Sequence, residues 1–268
     1  MPFVETNGAE VHFSVAGDGA PTLLLVAGLG QSSDEWGAAF VEPLARRRRV
    51  VRFENRGVPP STSRSPAFGM AELVADAKAV LDAALVERAV AVGWSLGGRI
   101  AQRLALDHPD RVDALVLIST DFGGPERLPM LPRAAPLFAP PPPGTTARAY
   151  HRDAFERLTA PGFAAAHADL AERFVAARLQ HRVSKELLQL QLAAGAVDLG
   201  DAVRRLAQPT LVVHGEDDPL IVVENGRMLA ARIPRSRYVE LPACGHFPPL
   251  ERPERVVEAI ERFVADLR

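Results

Sequence analysis

The stretch Ala89-Val90-Ala91-Val92-Gly93-Trp94-Ser95-Leu96-Gly97-Gly98 decides the reading of this 268-residue chain. A short apolar run, the signature of a strand buried on both faces, stops at Gly93. Leu96, Ile100 and Leu104 then recur at helical spacing, so a helix begins where the strand ends. A serine at the apex of so sharp a strand-to-helix turn strains the backbone, and side chains two residues to either side of it would clash. Glycines stand at both of those positions, 93 and 97. The turn lifts the Ser95 hydroxyl out of the sheet and sets it at a helix N-terminus, where the dipole favours developing negative charge.

Working outward, Thr22 to Val26, Ala114 to Ile118 and Leu211 to Val213 repeat the pattern of a doubly buried strand. Leu73, Ala77, Leu81 and Ala84 line one face of a helix between two of them, and Val256, Ile260, Phe263, Val264 and Leu267 line another near the end. Strands alternating with helices predict an α/β fold with a mostly parallel twisted sheet flanked by helices. Val4 to Asn7 and Val11 to Val15, joined around Gly8, read as a hairpin at the sheet edge. The alternation breaks after Thr120 and resumes at Pro209. Between them Pro140 to Pro143 read as a stiff extended connector. Ala147 to Leu158, Phe163 to Gln180 and Lys185 to Ala194 read as helices. The expected organisation is a core of residues 1–121 and 201–268 with a helical cap or lid inserted over 122–200.

Composition narrows the function classes. Apolar residues make up 47% of the chain, aromatics only 6%, and the formal net charge is −2. A near-neutral chain lacks the bulk electrostatic footprint of a nucleic-acid binder. No apolar run approaches the roughly 18 residues of a membrane span, and the N-terminus lacks the pattern of a signal peptide, so the expectation is a cytoplasmic protein. Cys244 is the only cysteine, which rules out an intramolecular disulfide and a cysteine-rich metal site. No metal and no other cofactor is expected, and the expected partner is a small-molecule substrate. Self-association into a homo-oligomer is neither indicated nor excluded.

A serine hydroxyl needs a base, and the base needs an orienting acid. Of seven histidines, His12 lies in the edge hairpin, His108 in a helix-ending turn, and His151, His167 and His181 on polar helix faces. His214 follows a strand directly and reads as a core histidine. His246 stands apart, in the loop Ala243-Cys244-Gly245-His246-Phe247 between a strand and the last helix. The acid is best sought in Gly215-Glu216-Asp217-Asp218-Pro219, just past a strand end, since loops at that edge carry the chemistry of such sheets. Asp218 precedes a proline, which keeps it extended, and it is preferred over its neighbours. Asp121, at the end of the preceding strand, is the second acid position.

With these residues in place, the chain resembles the α/β-hydrolase fold superfamily, in its small single-domain branch with a helical cap. The likeness rests on Leu25 to Gly30, Gly93 to Gly98, Gly215 to Leu220 and Gly245 to Glu251, with serine, acid and base in that chain order. It implies a catalytic triad of Ser95, Asp218 and His246, and an oxyanion hole made by the backbone N–H groups of Leu29 and Leu96. The implied activity is hydrolysis of a carboxylic ester, thioester or lactone through an acyl-serine. Perhydrolysis of the cofactor-free haloperoxidase kind and carbon–carbon bond hydrolysis use the same triad, and lyases, cyclases and hormone receptors use the same fold. Trp94, Phe122 and Phe247 are the expected pocket residues. Two positions depart from the family pattern: Ala27 stands where histidine is usual before the oxyanion glycine, and Pro59 replaces a glycine in Glu54 to Ser61.

Overall fold

The computed structural model describes residues 2–65 and 67–267. Nine strands form one sheet: β1 (Phe3–Thr6), β2 (Ala9–Ala16), β3 (Leu23–Val26), β4 (Val50–Phe53), β5 (Thr62–Ser63), β6 (Ala89–Trp94), β7 (Val112–Ile118), β8 (Thr210–Gly215) and β9 (Ser236–Leu241). Their order across the sheet is β1-β2-β4-β3-β6-β7-β8-β9, with the two-residue β5 alongside β2. β1 and β2 form an antiparallel hairpin and β2 joins β4 antiparallel; from β4 through β9 every neighbouring pair is parallel. Every residue of β3, β6 and β8 is buried, as strands covered on both faces require.

The covering layers are helical. α1 (Ala38–Ala45), α2 (Met70–Ala83) and α3 (Leu96–Asp107) come from the first part of the chain. The apolar residues divide into two buried clusters, one around Leu24, Ala91, Leu115, Ile100 and Leu73, the other around Leu25, Val92, Val116, Phe40 and Ile260. These alternate along each strand, so the two clusters are the two faces of the sheet. β4 and α1 were not anticipated from the sequence. Val50 to Phe53 is short and contains Arg52, and α1 holds Pro43 in its interior, so neither carries the usual pattern.

Between β7 and β8 the chain makes no sheet strand. It runs through α4 (Ala147–Leu158), α5 (Phe163–Ala166), α6 (Ala168–Gln180) and α7 (Lys185–Gly195). The expected single helix over Phe163 to Gln180 breaks at His167, whose φ of −128° and ψ of 53° are not helical. The His167 ring stacks on Phe163 and its Nδ1 lies 3.0 Å from the Phe163 carbonyl oxygen, which holds that corner. Residues leaving and re-entering the sheet meet each other: Gly123 bridges to Asp198, and Leu199 N–H donates to the Phe122 carbonyl at 2.8 Å. After β8 come α8 (Val223–Arg232), α9 (Pro248–Glu251) and α10 (Pro253–Ala265). Among the described residues no helix is long and apolar enough to cross a membrane.

Candidate active site

β6 ends at Trp94 and α3 begins at Leu96, leaving Ser95 alone in the turn with φ 56° and ψ −121°. That conformation is costly for a residue with a side chain and persists only where the surroundings enforce it. They do. A Cβ at Gly93 would strike the Gly97 backbone, one at Gly97 the Val26 carbonyl, and one at Gly98 the Thr120 side chain. Ser95 N–H donates to the Ile118 carbonyl at 2.9 Å, and the Thr120 hydroxyl donates to the Ser95 carbonyl at 2.7 Å. The serine is thus pinned from β7 on both sides of its Cα.

His246 reaches Ser95 from the loop after β9. Its Nε2 lies 3.1 Å from Ser95 Oγ and its Nδ1 2.8 Å from Asp218 Oδ2. An ionised carboxylate only accepts, so the proton sits on Nδ1 and the Nε2 lone pair faces the hydroxyl. The loop is held by its backbone. His246 N–H donates to the Leu158 carbonyl at 2.7 Å, and its own carbonyl accepts from the Trp94 indole at 2.9 Å. Glu251 accepts from the N–H groups of Gly245, Phe247 and Ala160 at 2.9, 3.0 and 2.8 Å. Burial raises the Glu251 pKa, and these three amide bonds oppose the rise.

Asp218 is fully enclosed, and burial alone would raise its pKa. The charge of His246 and hydrogen bonds from His214 and His246 outweigh that cost and hold the carboxyl well below the usual carboxylate range. Its Oδ1 also accepts from Leu220 and Ile221 N–H at 2.9 and 3.0 Å. His214 therefore does more than fill the core: its Nε2 lies 2.7 Å from the Ile221 carbonyl and 3.4 Å from Asp218 Oδ2. Nothing in its sequence position marks this. Asp121, the second acid position, is turned elsewhere, with Oδ1 2.7 Å from Arg99 Nε.

The loop Gly28 to Gln31 faces the serine. Gly28 N–H donates to the Gln31 side chain at 2.7 Å, Gly30 N–H to Gln191 of α7 at 2.7 Å, and Gln31 N–H to the Gly28 carbonyl at 3.3 Å. Among the described residues the Leu29 N–H is the one amide of the four without an acceptor. The Leu96 N–H heads α3, where helix geometry provides no acceptor. Two donors beside a serine at a helix N-terminus can stabilise an oxyanion. The missing histidine at 27 is offset by other ties. Asn55 donates to the Ala27 carbonyl at 3.0 Å, and Arg178 of α6 donates to the Gly30 carbonyl at 2.9 Å while pairing with buried Glu35 at 2.8 Å. Arg56 and Ser61 are tied elsewhere: Arg56 makes two 2.6 Å bonds to Asp76, and Ser61 donates to the Glu54 carbonyl at 2.8 Å.

Two chambers meet at Ser95. One, of about 270 Å³, is walled by Leu29, Ser95, Leu96, Met130 and Ile221 and reaches Arg99 and Arg127. The other, of about 170 Å³, is walled by His246, Phe247, Phe174, Leu158, Leu188 and Tyr150. Phe138, Leu192 and Leu220 border both. Of the three expected pocket residues, Phe247 lines the second chamber. Trp94 and Phe122 line neither and are corrected here: both are completely buried. Trp94 is occupied by the His246 carbonyl, and Phe122 lies under the Arg232 guanidinium, 4.1 Å from its ring centroid. Trp94 thereby shapes the site through the His246 backbone. His151, at the rim, has its pKa lowered to about 4 by burial and by Arg178, so it stands neutral near pH 7.

Comparison with known proteins agrees with this fold. Residues 21–253 match the model of the α/β-hydrolase fold family. A pimeloyl-[acyl-carrier protein] methyl ester esterase of Aeromonas hydrophila is 31% identical, over 91% of this chain and 95% of its own. A 2-hydroxy-6-oxononadienedioate/2-hydroxy-6-oxononatrienedioate hydrolase of Paraburkholderia xenovorans is 29% identical, over 96% and 91%. Among solved structures, the esterase RhEst1 from a Rhodococcus species superposes with a TM-score of 0.85 at 26% identity, covering 99% of this chain and 98% of that one. The chain belongs to the α/β-hydrolase fold family and is an enzyme of that class.

Proposed function

We propose that the protein hydrolyses a carboxylic ester, thioester or lactone of a small, largely apolar substrate, with Ser95, His246 and Asp218 as catalytic triad. The observation that carries this reading is the unbroken relay from Asp218 through His246 to Ser95, with bonds of 2.8 and 3.1 Å. Ser95 Oγ attacks the carbonyl carbon as its proton passes to His246 Nε2. The tetrahedral oxyanion is met by the N–H groups of Leu29 and Leu96. His246 returns the proton to the leaving oxygen or sulfur, and the acyl group stays on Ser95. Water, deprotonated by His246, then releases the acid. Asp218 keeps the imidazole in its working tautomer and balances the imidazolium. The residues of this chain supply every step.

Residues 122–200 act as a lid in this reading. Support comes from the walls of both chambers, to which Phe138, Tyr150, Phe174, Leu188 and Leu192 contribute, and from the pairing of residues 123 and 198 at the base of the insertion. Such segments gate access and exclude water.

A second reading keeps the triad and changes the bond. The Paraburkholderia relative is named for a 6-oxo dioate, a compound with a ketone and no ester, so its hydrolysis breaks a carbon–carbon bond. Fluorophosphonate labelling separates a working nucleophile from a ligand-binding use of the fold. We expect stoichiometric modification of Ser95, located by peptide mass, together with turnover of short-chain p-nitrophenyl esters. A folded protein that neither labels nor turns over an ester, thioester, lactone or keto acid would overturn the assignment.

A further inference from the structure

The larger chamber is bordered by a charge arrangement that the triad does not use. Asp121 is fully buried, and Arg99 answers its charge: Arg99 Nε lies 2.7 Å and Nη2 2.5 Å from Oδ1, while Nη1 donates to the Gly195 carbonyl at 2.7 Å. Asp121 is thus already paired. Arg127 stands beyond it, its Nε 3.7 Å from the other carboxylate oxygen, too far for a hydrogen bond. Among the described residues Arg127 makes no hydrogen bond, and about a third of its side chain remains exposed, at 32%. Arg99 and Arg127 both border the chamber that opens onto Ser95. Two guanidiniums against one carboxylate leave one positive charge beside a cavity whose other walls, Ser95 and Gln191 apart, are apolar.

We propose that this charge receives a second carboxylate on the substrate, so that the preferred substrate is the half-ester of a dicarboxylic acid. The inference rests on the proposed acyl-serine chemistry. The planar fork of arginine matches a carboxylate with two parallel donors, and a surplus of one charge suits a monoanion better than a phosphate dianion. The direction of binding follows from the base. His246 must hand its proton to the leaving alcohol, and His246 borders the smaller, aromatic chamber but not the larger one. The alcohol therefore leaves through the aromatic chamber, and the acyl chain lies in the other with its free carboxylate at Arg127. Hydrolysis adds water across the ester bond and releases a dicarboxylic acid and a neutral alcohol.

The test compares monomethyl half-esters of linear dicarboxylic acids of increasing length with methyl esters of the corresponding neutral fatty acids. Charge-assisted hydrogen bonds of this kind correspond to a discrimination of about tenfold to a hundredfold. We expect kcat/KM to favour the half-ester by at least about tenfold at one chain length. Arg127→Gln should erase that ratio, chiefly through KM, and Arg127→Lys should keep part of it, with thermal melting reporting that each variant folds. Binding of the same half-ester to the Ser95→Ala protein, followed by calorimetry with and without Arg127→Gln, reads the carboxylate site without any catalysis. Equal binding of charged and neutral esters there, or a ratio that neither Arg127 substitution changes, overturns this inference. Failure of fluorophosphonate to label the wild-type protein overturns the hydrolytic reading instead, and the calorimetric result stands apart from it.

Discussion

The strand ends that carry Ser95, Asp218 and His246 and the helices that cover them are held by different forces. At the strand ends the backbones of Ser95 and His246 are each tied on two sides, Asp218 Oδ1 accepts two amides, and glycines 93, 97 and 98 leave no room for an alternative path at the serine. Over 122–200 the outward faces carry ion pairs such as Arg157–Asp153 and Arg173–Asp169, whose exposed partners contribute little. Large apolar side chains there, Phe138 and Leu192 among them, remain near half exposed at the chamber rims. In the proposed reading the difference is a division of labour: the triad sits at the sheet edge, while much of the chamber wall comes from the helices over 122–200. The two regions are joined at many points, among them Leu158 on His246, Ala160 on Glu251, Arg133 on Asp217, the stacked rings of Phe155 and Phe247, and Gln191 and Arg178 on Gly30.

The largest effect expected is from Ser95→Ala. Removing the nucleophile should lower turnover by on the order of 10⁴ or more and abolish fluorophosphonate labelling while the melting temperature stays near that of the wild type. A folded variant retaining more than about 1% of wild-type turnover would break the comparison at its root, since the sheet edge would then not hold the nucleophile.

Asp218→Asn comes next. The amide fills the same space but favours the wrong imidazole tautomer and fails to balance the imidazolium, a loss on the order of 10⁴ in kcat. Asp121→Asn should cost far less, because Asp121 faces arginines and not His246. Single-turnover kinetics on one neutral ester would rank the two. A reversed ranking would move the orienting acid to the strand end that leads into the helical segment.

Gln191→Ala probes the contact between the regions. It removes the acceptor of Gly30 N–H and loosens the loop that offers Leu29. A full oxyanion donor is worth roughly 10² to 10³ in kcat, so a loosened one should cost about tenfold. The loss should fall on kcat with KM nearly constant, because the oxyanion exists only in the transition state. A change confined to KM would assign Gln191 to substrate binding and make the helices more independent of the chemistry than the contacts imply.

The smallest effect concerns stability beneath the oxyanion loop. Glu54 accepts from the backbone and hydroxyl of Ser33, and burial pushes its pKa up from 4.5 to about 7 against those hydrogen bonds. In the unfolded chain it ionises at its ordinary value, so between these limits the folded state holds the proton more tightly. Its contribution to stability is full below about pH 4.5 and is lost as pH rises through about 7. Glu54→Gln removes that titration, and the melting temperature of the variant should gain on the wild type between pH 5 and pH 8. A difference that stays flat across that interval would show Glu54 ionised throughout.

The sequence by itself determined the α/β alternation, the turn at Ser95 and the candidate residues on it and on two later loops. These are local matters. A strand buried on both faces is a run of apolar residues, a turn that admits a serine needs glycines at fixed offsets, and a loop at a strand end is bounded by its neighbours. The same locality explains what escaped. β4 and α1 lack a clear periodic pattern of their own and form because the sheet and its cover need them. Trp94 and Phe122 are large aromatics near Ser95 in sequence, yet they are turned from the cavity to partners, His246 and Arg232, more than a hundred residues away. The positions of His214 beside Asp218, of Gln191 and Arg178 on Gly30, and of Arg127 past an already paired Asp121 were decided only by the tertiary structure. The ties of Gln191 and Arg178 to Gly30 join segments about 150 residues apart, and the pairings of His214 with Asp218 and of Arg127 with Asp121 depend on how a loop folds back on itself, which spacing along the chain does not encode.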